Sequence, residues 1–213
     1  MMPLSTLTLV ALSVICWVSF AVAILWHFAR PAESSWLMTG VATLGTLFGV
    51  LQVAAIVWAP VTSVASWMVA FVLYGAALSL FWWAVGTTRG HRFPLAFTPS
   101  RPMMVLAEGP YRWVRHPFYA SYLLYWIAGV CATEAWGLVA SVLVMGTLYW
   151  RAAVQEETEF LQGDQAEAYR AYIGQTGRFF PKLRRNPEVV TGVKHHAQIA
   201  PQEGTASVAL TTK

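Results

Sequence analysis

The residues best suited to bind a charged ligand collect in two short stretches of an otherwise apolar chain. The first stretch, residues 109–119, reads Gly-Pro-Tyr-Arg-Trp-Val-Arg-His-Pro-Phe-Tyr. Arg115 and His116 stand directly before Pro117, and proline suits the first turn of a helix. A guanidinium pairs with anionic groups, and a histidine can change its charge near neutral pH. This stretch therefore predicts charged groups at the start of a helix.

The second stretch begins at Arg151 and reaches the adjacent carboxylates Glu156 and Glu157. Such a pair accepts hydrogen bonds from hydroxyl or amine donors, or holds a cation. The plain alternative is a basic anchor beside a membrane for the first stretch and a solvated helix extension for the second. The sequence has no cysteine or histidine cluster with metal-ligand spacing, so we predict no metal site.

The composition indicates the surroundings in which these stretches must be positioned. The chain has 213 residues, of which 57% are hydrophobic and only 11% are charged. That balance is typical of a membrane protein and falls outside the range of soluble domains. The net charge of +4 does not indicate nucleic-acid binding, because the basic residues follow the membrane topology described below.

The N-terminal part of the chain predicts three membrane-spanning helices. Residues 1–29 contain no Asp, Glu, Lys or Arg, and residues 34–88 lack them as well. A span needs roughly 20 apolar residues, so the first segment allows one span and the second allows two. Pro60 and the polar residues after it mark the break between those two helices.

The C-terminal part predicts a helical hairpin followed by a shorter helix. Residues 118–133 are apolar but short for a span, so this helix must be extended by Pro117 or shielded by its neighbours. Glu134 marks a tight turn, and residues 135–150 run back. The predicted fold is all-α: a polytopic membrane bundle of five transmembrane helices with a C-terminal hairpin and a cytosolic helix near residues 164–173.

The distribution of basic residues predicts the orientation of this bundle. With five spans, all 14 Lys and Arg residues fall on one side, which the positive-inside rule makes cytoplasmic. The N-terminus then faces the opposite side. Residues 1–181 are predicted to form a single membrane domain, and residues 182–213, which lack apolar periodicity, a disordered cytoplasmic tail.

The order of the two stretches, with a hairpin between them, resembles the membrane methyltransferases of the isoprenylcysteine carboxyl methyltransferase and phosphatidylethanolamine methyltransferase superfamily. The resemblance covers roughly residues 108–181, where Tyr169, Tyr172 and Arg178 extend the second motif. It implies a small helical membrane bundle that binds S-adenosylmethionine on the cytosolic side. The resemblance assigns the cofactor site to Tyr111, Arg115, His116, Pro117, Tyr119, Glu156 and Glu157.

Two residues are candidates for a catalytic role. Arg151 matches an arginine upstream of the acidic pair in the family that this sequence resembles, and we expect it to orient the substrate or the acidic pair. His116 is a candidate general base if the methyl acceptor is a protonated amine, although a cofactor-lining role is the preferred interpretation.

The resemblance predicts S-adenosylmethionine-dependent methyl transfer to a lipophilic acceptor that enters from the bilayer. A prenylcysteine-like carboxylate, a phospholipid amine and a small thiol all remain open as acceptors. The protein is then a multi-pass membrane protein, in the plasma membrane or a bacterial inner membrane, with its site facing the cytoplasm. Two alternatives remain: an NADPH-dependent membrane reductase of related fold, and a non-enzymatic membrane module.

Overall fold

The computed structural model describes residues 2–26, 36–58, 63–89 and 105–182. Within these residues the chain is helical and contains no strand, as the sequence predicts. The predicted break at Pro60 and the predicted tail beyond Lys182 lie outside the described residues. The helices are α1 Leu4–Trp26, α2 Trp36–Trp58, α3 Val64–Thr88, α4 Pro117–Thr133, α5 Val139–Gln162 and α6 Ala166–Gln175.

Four of the described helices are long and apolar enough to cross a membrane, which identifies a membrane protein. α4 has 17 residues and extends about 25 Å, somewhat less than the hydrocarbon core of about 30 Å. A crossing by α4, and with it the count of five spans, stays a prediction. The four candidate spans are Leu4–Ala23, Thr39–Trp58, Val64–Thr88 and Trp136–Gln162.

α4 lies at the centre of the bundle, where it packs against α1, α2, α3 and α5. Small side chains let neighbouring helices approach closely. At Gly129 the approach is so close that an added Cβ would collide with the side-chain amide of Gln52 on α2. The neighbouring helices therefore shield the short α4, which is one of the two arrangements that its length predicts. The small buried residues of α4 are Ala120, Ser121, Ala128, Gly129 and Ala132.

Two hydrogen bonds define which helix ends lie together. The Ser66 hydroxyl at the start of α3 donates to Glu134 Oε1 at 2.6 Å, just after the end of α4. The Trp67 indole donates to the Ser5 carbonyl at 3.2 Å, which brings the start of α1 to the same end. The start of α4 and the Arg115–His116 pair therefore lie at the opposite end of the bundle.

Glu134 forms the turn between α4 and α5 in the left-handed conformation, with φ 53°, and α5 continues past Arg151 as predicted. The bounds of the last helix differ from the prediction. α6 covers Ala166–Gln175 instead of residues 164–173, so Gly174 lies within the helix instead of after it. Its C-terminal end is marked by Thr176, whose backbone is extended.

Candidate active site

α5 carries one buried face that ends in a carboxylate. Its members follow one another at steps of four residues, close to the helical repeat, so they lie along one side of the helix. Most of this face is apolar or small and packs within the bundle. The only charged member is the last, which α5 places beside the start of α4. The face consists of Ser141, Met145, Tyr149, Ala153 and Glu157.

The Arg115–His116 pair is held in place by the segment that follows α6, residues 176–180, which we call the post-α6 segment. The Arg115 N–H donates to the Gly177 carbonyl at 2.8 Å, and the His116 N–H donates to the Arg178 carbonyl at 3.1 Å. The Gly177 N–H in turn donates to the Trp113 carbonyl at 3.2 Å. These bonds join the first motif to a segment about 60 residues further along the chain.

Glu157 is the centre of a buried network of charges. Its Oε1 accepts from Arg115 Nε at 2.9 Å and from Arg178 Nε at 3.0 Å, and His116 Nε2 lies 3.1 Å away. Its Oε2 accepts from Arg178 Nη2 at 2.7 Å. Arg115 Nη1 also donates to the Thr176 carbonyl. The structure thus joins both sequence motifs and the post-α6 segment at one carboxylate.

Glu156 lies beside this network in a more open position. Its Oε1 accepts from the Tyr119 hydroxyl at 2.6 Å, and its Oε2 lies 3.4 Å from His116 Nδ1. The Glu156 side chain is 27% exposed, whereas that of Glu157 is 7% exposed. Of the two adjacent carboxylates, only Glu156 opens towards the surface.

His116 stands between the two carboxylates, with one ring nitrogen facing each. Both nitrogens donate to these anions when both carry hydrogen, which makes the ring an imidazolium. Burial lowers the pKa of His116, but the hydrogen bonds and charges of Glu156 and Glu157 outweigh burial and raise this pKa above its usual 6.5. In this arrangement His116 has no free lone pair with which to act as a base.

Aromatic rings surround the carboxylates. The Tyr119 ring stacks on His116 with centroids 5.6 Å apart and on Tyr149 with centroids 5.5 Å apart. Phe179 of the post-α6 segment meets the His116 ring edge-on at 6.2 Å. The faces of aromatic rings attract cations, so this part of the site favours a positively charged group.

The remaining predicted site residues fall into different places. Pro117 is buried and begins α4. Tyr111 lies in a 3-10 turn at residues 109–112, where its carbonyl accepts from the Tyr172 hydroxyl at 2.7 Å. Arg151 is exposed, and its position six residues before Glu157 puts it on another face of α5. The structure does not bring Arg151 into the Glu157 network.

Sequence patterns assigned no site role to Arg178, Tyr149 or Phe179, although all three contact the predicted residues. The signal for Arg178 was its place in the second motif, directly before two phenylalanines and a proline. Within the described residues, no group of three or more His, Cys, Asp or Glu side chains could hold a metal ion.

A bundle of apolar helices with a charged, aromatic-lined cluster at one end defines an integral membrane protein with a polar site at one end of its helices. Residues 68–162 match the model of the isoprenylcysteine carboxyl methyltransferase (ICMT) family. This match, over less than half of the chain, confirms the resemblance to this family of membrane methyltransferases. It includes the first motif and the part of the second motif from Arg151 to Glu157, and it ends before α6. A comparison with curated proteins finds no match for the chain.

Proposed function

We propose that the protein transfers a methyl group from S-adenosylmethionine to a lipophilic acceptor at the cytoplasmic face of a membrane. One observation carries this proposal. The residues at the start of α4 and the carboxylates of α5 form one cluster, and both lie within residues 68–162, the segment that matches a methyltransferase family.

The donor set suits the chemistry of S-adenosylmethionine, which carries a sulfonium, an ammonium, a carboxylate and ribose hydroxyls. Glu156 is partly exposed and can accept from the ammonium or a hydroxyl. Tyr111, Tyr119 and Glu156 are only partly buried, whereas the Arg115 side chain is 7% exposed. The first three members of the predicted set would therefore hold the cofactor, with Arg115, His116, Pro117 and Glu157 behind them.

When bound, S-adenosylmethionine supplies an electrophilic methyl group: the acceptor's lone pair bonds to the methyl carbon as the carbon–sulfur bond breaks, and sulfur keeps that electron pair. This displacement requires no protein nucleophile. The protein contributes alignment, which is worth up to roughly 7–11 kcal/mol in well-oriented systems. His116 orients Glu156 through Nδ1. A thiolate or carboxylate acceptor needs no base. A protonated amine must first lose its proton to water, and the resulting neutral amine is a nucleophile.

The charge distribution supports a cytoplasmic site. The basic residues of the described chain follow the C-terminal end of α3 or belong to the segments around the site, which is the pattern that the positive-inside rule favours. With α4 as the fifth span, the N-terminus lies on the other side, and a lipophilic acceptor reaches the site from the bilayer. These basic residues are Arg89, Arg112, Arg115, Arg151, Arg170, Arg178 and Lys182.

Calorimetric titration of the purified protein with three ligands tests the proposal. We expect S-adenosylmethionine and S-adenosylhomocysteine to bind and NADPH not to bind. Binding of NADPH alone would favour a membrane reductase, and binding of none of the three would favour a non-enzymatic module. A methyl-transfer assay with a prenylcysteine analogue, phosphatidylethanolamine and a small thiol then identifies the acceptor class.

A matched pair of substitutions connects binding to the proposed site. Glu156→Gln should weaken S-adenosylmethionine binding by about 1.5–3 kcal/mol, since a charge-assisted hydrogen bond is lost. Glu134→Gln makes the same chemical change at the opposite end of the bundle, where Glu134 accepts from Ser66, and should bind normally. Equal affinities of the two variants would place the cofactor elsewhere.

A further inference from the structure

The two adjacent glutamates differ in how much of their hydrogen-bonding capacity the protein already uses. An ionised carboxylate offers about four acceptor sites. Glu157 has four N–H groups directed at it, from Arg115 Nε, His116 Nε2, Arg178 Nε and Arg178 Nη2. Three of these contacts fall on Oε1 and one on Oε2, so most of the capacity of Glu157 is used, and its side chain is only 7% exposed.

Glu156 has capacity to spare. Among the described residues, the Tyr119 hydroxyl is its one close hydrogen-bond donor, and His116 Nδ1 lies further away at 3.4 Å. Its side chain is also about four times as exposed as that of Glu157, 27% against 7%. A ligand can therefore donate to Glu156 without displacing a protein contact, whereas Glu157 is more deeply buried and already has more donors.

Arg178 is anchored on three sides. Its guanidinium forms a two-bond fork with both oxygens of Glu157, at 3.0 Å and 2.7 Å. The same group lies over the Trp150 ring, 4.2 Å from its centroid. Its backbone carbonyl accepts from the His116 N–H at 3.1 Å. One residue of the post-α6 segment thus connects α5 to the start of α4.

We propose that Glu157 and Arg178 form a positioning pair that holds Arg115 and His116 in place, and that Glu156 is the carboxylate that contacts the ligand. Glu157 fixes the His116 ring through Nε2, so that Nδ1 is directed at Glu156. The identity of the ligand rests on the proposed function. The pairing of Glu157 with Arg178 does not, and it extends the site beyond the family match, which ends at residue 162.

The test compares Glu156→Gln, Glu157→Gln and Arg178→Gln by two measurements: the thermal unfolding midpoint without ligand, and calorimetric affinity for S-adenosylhomocysteine. Glu156→Gln should weaken binding roughly tenfold or more and leave the unfolding midpoint nearly unchanged. Glu157→Gln and Arg178→Gln should both lower the midpoint and weaken binding. The double variant Glu157→Gln/Arg178→Gln should lower the midpoint and the affinity by less than the sum of the two single effects, because the two residues contact each other.

Titration of the His116 ring, followed by NMR, separates positioning from a general loss of structure. Glu157→Gln removes an anion beside the ring, so the ring should lose its proton at lower pH than in the wild type. Arg178→Gln removes a cation that competes for Glu157, so the ring should lose its proton at higher pH. Among the described residues, Glu156, Glu157 and the Tyr119 ring face this ring directly, and Arg115 and Arg178 act on it through Glu157. General loosening of the structure would shift both variants in the same direction.

Two further variants serve as controls. Arg170→Gln makes the same change at an exposed arginine of α6 and should behave like the wild type in every measurement. Arg178→Lys keeps the charge but loses the two-bond fork, so its midpoint and affinity should fall between those of the wild type and Arg178→Gln. If Arg178→Gln does not fold, Arg178→Lys still tests the positioning pair.

The outcomes distinguish this proposal from the proposed function. If the wild type binds neither S-adenosylmethionine nor S-adenosylhomocysteine, the proposed function fails. The unfolding midpoints and the His116 titration still show whether Glu157 and Arg178 form a positioning pair. If the wild type binds and Arg178→Gln behaves like Arg170→Gln, the positioning pair is wrong and the proposed function stands. Normal binding by Glu156→Gln would overturn the assignment of Glu156 as the contacting carboxylate.

Discussion

The Tyr119 hydroxyl donates to Glu156 Oε1 at 2.6 Å. This bond joins the first turn of α4 to α5 across 37 positions of the sequence. The bond holds the partly exposed Glu156 carboxylate against α4, while Glu156 Oε2 faces His116. The two sequence motifs therefore meet through side chains that belong to the predicted site.

Replacing Tyr119 by phenylalanine tests whether this bond orients Glu156 for a ligand. The variant should bind S-adenosylmethionine about 0.5–1.5 kcal/mol more weakly by calorimetry, because one hydrogen bond is lost. Tyr74→Phe is the matched control, since its hydroxyl accepts from Gln52 within the membrane bundle. The control should lower the unfolding midpoint and keep the affinity. Equal affinities of the two variants would show that Tyr119 does not orient the ligand site.

The stability of the protein should depend on pH through His116. The folded state raises the pKa of His116 above its unfolded value of about 6.5, so it binds the proton more tightly. The contribution of His116 is fully present below that unfolded value and is lost as pH rises through the raised pKa. In thermal unfolding, the midpoint difference between wild type and His116→Gln should therefore shrink as pH increases above about 6.5. A difference that does not change with pH would contradict the imidazolium arrangement.

Gly177→Ala should disrupt the docking of the post-α6 segment. A Cβ at Gly177 would collide with the Phe180 carbonyl, so the backbone bonds to Trp113 and Arg115 cannot all be kept. We expect unfolding stability to fall by about 1–3 kcal/mol and ligand affinity to fall with it. Gly174→Ala is the control, because a Cβ there meets nothing within 4 Å. Alanine within α6 should raise stability by up to about 1 kcal/mol.

The orientation of the bundle is tested by reporters fused to the two ends of the chain. A reporter fused after Lys213 should be found in the cytoplasm, and one fused before Met1 on the opposite side. The reason is that five spans place all 14 Lys and Arg residues on one side. Both reporters on the same side would rule out α4 as the fifth span.

Local signals of the sequence predicted much of the fold. The start of α4 at Pro117, the turn at Glu134 and the continuation of α5 past Arg151 all follow from nearby residue types. The helical class follows from apolar segments long enough to span a membrane. Such features were predictable because each depends only on residues that are close to it in the sequence. The bounds of α6 were less well predicted, because Gly174, a residue type that disfavours helix interiors, lies within the helix.

The sequence by itself determined that a charged cluster would lie at the end of an apolar bundle, and which two motifs would supply it. Only the tertiary structure decided how the cluster is connected. Glu156 and Glu157 are chemically identical neighbours, but about 100° of rotation around α5 leaves one partly exposed and buries the other among Arg115, His116 and Arg178. The helical repeat also places Arg151, six residues before Glu157, on another face of α5. Packing between distant segments sets these partners, and no local pattern of residue types contains that information.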